Sequence, residues 1–141
     1  MLSVKGQCSD TGVTLTGFSG SLSSPNYPSN YPNGQTCRWI ITVPEGYRIL
    51  LSFQTFQLET CFFASVCSCD HVEVRDGGSE DSSKLGKFCG AVKPAPVHSS
   101  GRSMWVEFDS DFTRNEKGFL ATYGAVGMYL ASFCTCFYSI P

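Results

Sequence analysis

The chain is short of charge, short of histidine and without helical patterning, and each shortage narrows what it can be. Charged residues make up 16% of its 141 positions, and Lys and Arg nowhere form a run. At a formal net charge of −2 there is no electrostatic footprint for nucleic acid or an anionic membrane. His71 and His98 are the only histidines. No Gly-x-Ser-x-Gly elbow occurs, because Gly17-Phe18-Ser19-Gly20-Ser21 brings its second glycine one place early. Without an assembled nucleophile and base, catalysis by this chain is not expected. An Asn-x-Ser/Thr acceptor is also missing, so N-glycosylation is not expected. Apolar residues nowhere sustain a helical spacing, which leaves strands and turns. Met1 to Gln7 lacks an apolar core of signal-peptide length and reads as a leader remnant or as residues added to an internal piece.

What is present is cysteine, proline and aromatic residues. Cys8, Cys37, Cys61, Cys67, Cys69, Cys89, Cys134 and Cys136 form an even set in a small chain, the mark of a disulfide framework in an oxidising, extracellular compartment. A zinc site built on Cys67-Ser68-Cys69 and Cys134-Thr135-Cys136 would need reduced thiolates, and its spacing is atypical. Ser24 to Gly34 carries Pro25, Pro28 and Pro32, each of which fixes φ and removes a donor, so it is a long rigid turn. It delivers the chain into Arg38 to Val43, a strand ended by Pro44-Glu45-Gly46.

The remaining strands follow from period-two patterning. Before the proline turn, Gly12 to Leu22 reads as one short, bulged edge strand. Tyr47 to Phe56 sets Ile49, Leu51 and Phe53 on one face and Leu50, Ser52 and Gln54 on the other. Leu58 to Cys69 is an irregular loop. Asp70 to Arg75 places Val72 and Val74 inward and His71 on the opposite, exposed face. After the polar tip Ser79 to Ser83, Leu85 to Cys89 and Met104 to Phe108 resume, with Met104, Val106 and Phe108 toward the core. Asp109 to Lys117 is a polar loop, and Gly118 to Tyr123 the last strand. Strands at such short intervals predict an all-β sandwich or jelly roll. Residues 8–124 would form the domain. The tail, 125–141, is uncharged and broken by Gly, Ser and Thr without a basic flank, so no membrane insertion is expected and it reads as an extra strand or extension.

With these elements placed, the chain resembles the CUB domain family. The resemblance rests on Cys8, Gly20-Ser21-Leu22-Ser23-Ser24-Pro25-Asn26-Tyr27-Pro28 with Tyr31-Pro32, Cys37-x-Trp39-x-Ile41 and Phe53-x-x-Phe56-x-Leu58-Glu59. It continues through Cys67-x-x-Asp70-x-Val72-x-Val74-x-Asp76-Gly77, Phe88-Cys89-Gly90, Phe108-x-Ser110-Asp111 and Gly118-Phe119-x-Ala121-x-Tyr123. It implies a jelly-roll sandwich of two antiparallel sheets with disulfides Cys8–Cys37 and Cys67–Cys89, each worth roughly 3 kcal/mol or somewhat more by loop closure. Cys61 and Cys69, in one loop, are candidates to bridge each other. Cys134 and Cys136 are too close to bridge without strain, and are left to pair with Cys61 and Cys69, between chains or with a neighbouring module.

The resemblance also implies a calcium site. Glu59, Asp70 and Asp111 match the family's acidic triad, Thr113 a position that offers a ligand oxygen, and Tyr31 a tyrosine that supports the site by hydrogen bonding. Carboxylates brought within about 4 Å repel by about 4 kcal/mol at an effective dielectric of 20, and a cation that accepts six to eight oxygens relieves this. At the position after Thr113 the family often has Asn, where this chain has Arg114, and the loop from Glu59 to Asp70 is longer than usual. The implied function is an extracellular, calcium-dependent module, secreted or in the ectodomain of a membrane protein, that receives a Lys or Arg of a protein partner at Tyr31, Glu59 and Asp111. The partner is another protein, a second copy of the chain or the other modules of a parent chain. The alternatives are a calcium-independent ligand or glycan binder like the spermadhesins, and a non-catalytic module of a secreted protease or receptor.

Overall fold

A computed structural model of the chain describes residues 8–61 and 67–127. Residues 1–7, the middle of the Leu58 to Cys69 loop, the tail from position 128 and the cysteines Cys134 and Cys136 lie outside the described residues. Among the described residues, nine strands run in the order β1 (Val13–Thr16), β2 (Ser19–Ser23), β3 (Thr36–Thr42), β4 (Tyr47–Gln57), β5 (His71–Asp76), β6 (Ser83–Phe88), β7 (Val97–His98), β8 (Ser103–Asp109) and β9 (Gly118–Gly127). They form two facing sheets, ordered β1-β3-β8-β5-β6 and β2-β9-β4-β7. The all-β sandwich expected from the patterning is the architecture observed, with no helix among the described residues.

Alternation places the core. Ile49, Leu51 and Phe53 of β4, Val72 and Val74 of β5, and Met104, Val106 and Phe108 of β8 are all buried. Each large apolar side chain so buried contributes about 1.5–3 kcal/mol. Strict alternation breaks once in β4, where the register against β9 shifts between Phe53 and Thr55. This bulge returns Phe56 rather than Thr55 to the core, where Phe53 meets it edge-on with ring centroids 5.3 Å apart.

Three local readings change. Gly12 to Leu22 is not one edge strand: Gly17, at φ 92, breaks it into β1 and β2, which belong to different sheets. Strand β1 pairs with β3 in parallel, the one parallel pairing among otherwise antiparallel ladders of the described residues. The Cys8–Cys37 bridge lies at the entry to both strands, and the Arg38 amide donates to the Ser9 carbonyl at 3.0 Å, so the two start together and run the same way. The tail begins later than expected, since Ala125 to Gly127 continue β9 beside Tyr47 to Ile49. Finally, the Pro/Ser connection around His98 contains β7, two residues long, whose neighbour Ser99 takes the Ile49 amide on its hydroxyl at 2.7 Å.

Three connections cross between the sheets at one end of the sandwich. Positions 24–35 lead from β2 to β3, 58–70 from β4 to β5, and 110–117 from β8 to β9. Ser110 ties the first to the third: its hydroxyl accepts from the Gln35 amide at 2.9 Å and donates to the Pro32 carbonyl at 2.8 Å. Gly118, at φ 93, closes this end, because a Cβ there would run into the Ser24 hydroxyl that receives the Phe119 amide.

Candidate functional site

The side chains of interest sit where those three crossings meet. Tyr31 comes from the proline turn, Glu59 follows β4, Asp70 precedes β5, and Asp111 follows β8. Because His71 faces Asp109 in the antiparallel β5–β8 ladder, Asp70 and Asp111 emerge side by side. The Asp111 amide donates to Asp70 Oδ1 at 2.7 Å. Tyr31 is wholly buried, its ring against the edge of Phe108 at 5.0 Å between centroids, which leaves its hydroxyl to meet the polar end. That hydroxyl donates to Asp70 Oδ2 at 2.6 Å and accepts from the Glu59 amide at 3.1 Å. One phenol thereby fixes two of the three acids.

Glu59, Cys69 and Asp111 each bring a potential ligand atom within 4.8 Å of the others. The Cys69 sulfur is committed to Cys61, and the bridge closes the loop between Glu59 and Asp70. Cys67 bridges Cys89. These pairings remove the thiolates that a zinc site at Cys67-Ser68-Cys69 would need. Thr113 lies at the exposed rim, where its amide donates to Asp111 Oδ1 at 3.1 Å.

The electrostatics are those of crowded acids. Burial foremost, then the charges of Asp111 and Asp70, push the Glu59 carboxyl above its usual range, while Arg114 pulls it partly back. Burial likewise drives Asp70 upward, against the Tyr31 hydroxyl and the Asp111 amide that favour its charged form. The Tyr31 phenol is itself raised, by burial and by donating to Asp70. Glu59 Oε1 is buried with no hydrogen-bond partner among the described residues. An orphaned carboxylate oxygen among like charges is a standing deficit of positive charge. Of the acids, Glu59 and Asp111 bring their ligand atoms together, and Asp70 adjoins them with Oδ1 on the Asp111 amide and Oδ2 on the Tyr31 hydroxyl; hard oxygens from separate loops are the donor type that calcium takes.

Two neighbours escaped the sequence reading. Phe112, next to Asp111, is 86% exposed, with its ring lying over Gly34. Its signal was present as a lone large aromatic inside the polar run Asp111 to Lys117, a place with no core to face. His71 is the other. It is not exposed as expected: its side chain keeps 18% of its surface, with Nε2 at 3.3 Å from Asp109 Oδ2 and Nδ1 at 2.9 Å from the Cys69 carbonyl. Cross-strand register, which alternation alone does not give, puts a carboxylate opposite it.

A disulfide-stapled jelly roll with acidic crossings gathered at one end defines the class of domain. The CUB domain family model matches residues 8–123, and the chain belongs to that family. It is 43% identical to Tolloid-like protein 2 of Mus musculus over 112 residues, 79% of this chain and 11% of that protein. Among solved structures it is similar to the full extracellular region of zebrafish Gpr126/Adgrg6, with TM-score 0.73 and 36% identity over 86% of this chain and 15% of that one. It is also similar to the MASP-1 CUB2 domain bound to Ca2+, with TM-score 0.69 and 28% identity over 79% of this chain and 96% of that one. The chain spans about a tenth of the length of the curated relatives it matches. CUB domains of extracellular proteins are protein-interaction modules.

Proposed function

We propose that the chain is an extracellular recognition module in which a calcium ion, held by Glu59, Asp70 and Asp111, organises the three crossings so that they receive a Lys or Arg of a protein partner. The observation that carries this is the partnerless, buried Glu59 Oε1 beside Asp111, next to an Asp70 already anchored by Tyr31. The relative solved with Ca2+ supports the choice of ion. Thr113, at the rim, is the neighbouring source of a further ligand oxygen.

Calcium supplies fixed positive charge that holds the carboxylates in one arrangement. The protein's own part is to leave anionic oxygen facing outward: Glu59 and Asp111 offer the acceptors, and Tyr31 keeps their loops in register. A partner ammonium entering there makes a charge-assisted contact that strengthens as water is excluded. Phe112 stands beside it as an apolar surface for the methylene stem of the incoming side chain. Binding of a Lys-bearing peptide panel is the test, read with calcium, with chelator, and after lysine acetylation. The proposal expects binding that chelator, acetylation and Asp111→Ala each abolish, whereas binding indifferent to all three would contradict it.

A further inference from the structure

On the outer face of the five-stranded sheet, next along the strands from the crowded acids, His71, Glu107 and Asp109 bring one ligand atom each within 4.8 Å of one another. The ladder explains why. His71 pairs directly with Asp109 across β5 and β8, and Glu107 lies two residues back on the same face of β8. Each of the three is held from outside the cluster. Asp109 Oδ1 accepts from the Thr36 hydroxyl at 2.8 Å, a Glu107 oxygen accepts from Arg38 Nε at 2.5 Å, and His71 Nδ1 meets the Cys69 carbonyl at 2.9 Å.

The histidine decides the reading. A carbonyl only accepts, so Nδ1 carries the proton of the neutral ring and Nε2 presents a lone pair. That lone pair faces Asp109 Oδ2 at 3.3 Å. Two lone pairs at this distance require a positive centre between them, either a second proton or a metal ion. In a tetrahedral zinc site with bonds of about 2.0–2.1 Å, neighbouring ligand atoms lie about 3.3 Å apart; the His71–Asp109 pair already has that spacing, and Glu107, within 4.8 Å of both, would close in on the ion. A ring nitrogen tied back to a carbonyl is also how metal-binding histidines are oriented.

We propose that His71 Nε2, Asp109 and Glu107 form a binding site for a borderline divalent cation of the zinc class, separate from the acidic crossings. One imidazole with two carboxylates suits Zn2+, Ni2+ or Cu2+, whereas calcium prefers oxygen alone. Three protein ligands leave a fourth position open to water or to a partner's side chain. Arg38 competes for Glu107, so the site is weaker than a dedicated structural zinc centre.

The test uses the full chain with calcium in saturating excess, so that the acidic crossings do not take up the probe. Zn2+ is titrated by calorimetry while the imidazole resonances are followed by NMR. The expected result is one Zn2+ per chain with the His71 ring signals shifted, about a tenfold weaker affinity in Thr36→Val, and loss of binding in His71→Gln and Glu107→Gln. His98→Gln should bind as the parent does. Zn2+ that leaves the His71 signals unmoved, or binds His71→Gln equally well, would overturn the site and leave a plain His71–Asp109 ion pair. The NMR readout needs no variant, so a misfolded substitution does not rescue the proposal.

Discussion

The hydroxyl of Tyr31 donates to Asp70 Oδ2 at 2.6 Å while sitting at the buried end of the core, so one side chain belongs both to the packing and to the acidic site. Removing that oxygen strands a carboxylate oxygen and the Glu59 amide together. Tyr31→Phe should therefore cost about 1–3 kcal/mol in denaturant unfolding. Calorimetry should show calcium affinity falling with it. An unchanged affinity would mean that Tyr31 serves the core alone.

Arg114 adopts φ 51, a left-handed conformation that costs an ordinary residue about 1–2 kcal/mol and suits Asn better. Its guanidinium also bears on Glu59. Arg114→Asn should then raise stability by up to about 1 kcal/mol and strengthen calcium binding severalfold, as read by thermal unfolding and calorimetry on the same samples.

In the metal-free protein the His71–Asp109 pair sets a pH window. Against the upward push of burial, His71, Glu107 and Thr36 hold Asp109 down to about 2. Burial pushes His71 downward, but Asp109 and the Cys69 carbonyl outweigh it and raise the ring above its ordinary value. Asp109 thus contributes stability above its unfolded pKa of about 3.9, lost as pH falls toward 2; His71 contributes below about 6.5, lost as pH rises through its raised value. NMR titration should find His71 titrating above about 6.5 and returning toward or below it in Asp109→Asn.

The Cys61–Cys69 bridge closes a sequence separation of 8, against 29 for Cys8–Cys37 and 22 for Cys67–Cys89. Loop-closure entropy makes it the smallest contributor, roughly 2.5 kcal/mol against about 3.5 for the others. It nonetheless spans the two acids Glu59 and Asp70, so the double variant Cys61→Ser with Cys69→Ser should lose more calcium affinity than its stability loss suggests. Calcium titration well below the melting temperature separates the two effects.

Much of this was legible because alternation reports burial directly: Ile49, Leu51, Phe53, Val72, Val74, Met104, Val106 and Phe108 all face inward as their spacing indicates. The convergence of Tyr31, Glu59, Asp70 and Asp111 was legible only through the spaced motifs of the family, since the four lie far apart along the chain. What stayed hidden depends on partners that a local pattern does not contain. Gly12 to Leu22 reads as one bulged strand and is divided at Gly17 between two sheets; Phe56 reaches the core through a bulge; His71 is sheltered by a neighbour 38 residues away.

The most direct measurement is the melting temperature of the oxidised chain in saturating calcium and in chelator, beside Glu59→Gln. Binding to the native state alone stabilises by about 2.7 kcal/mol at a hundredfold excess over Kd, which raises the melting temperature by several degrees. The acidic site predicts that rise in the parent. In Glu59→Gln it predicts a smaller rise, together with a higher melting temperature in chelator, because one of the crowded charges is gone. An identical melting temperature with and without calcium in both proteins would contradict it.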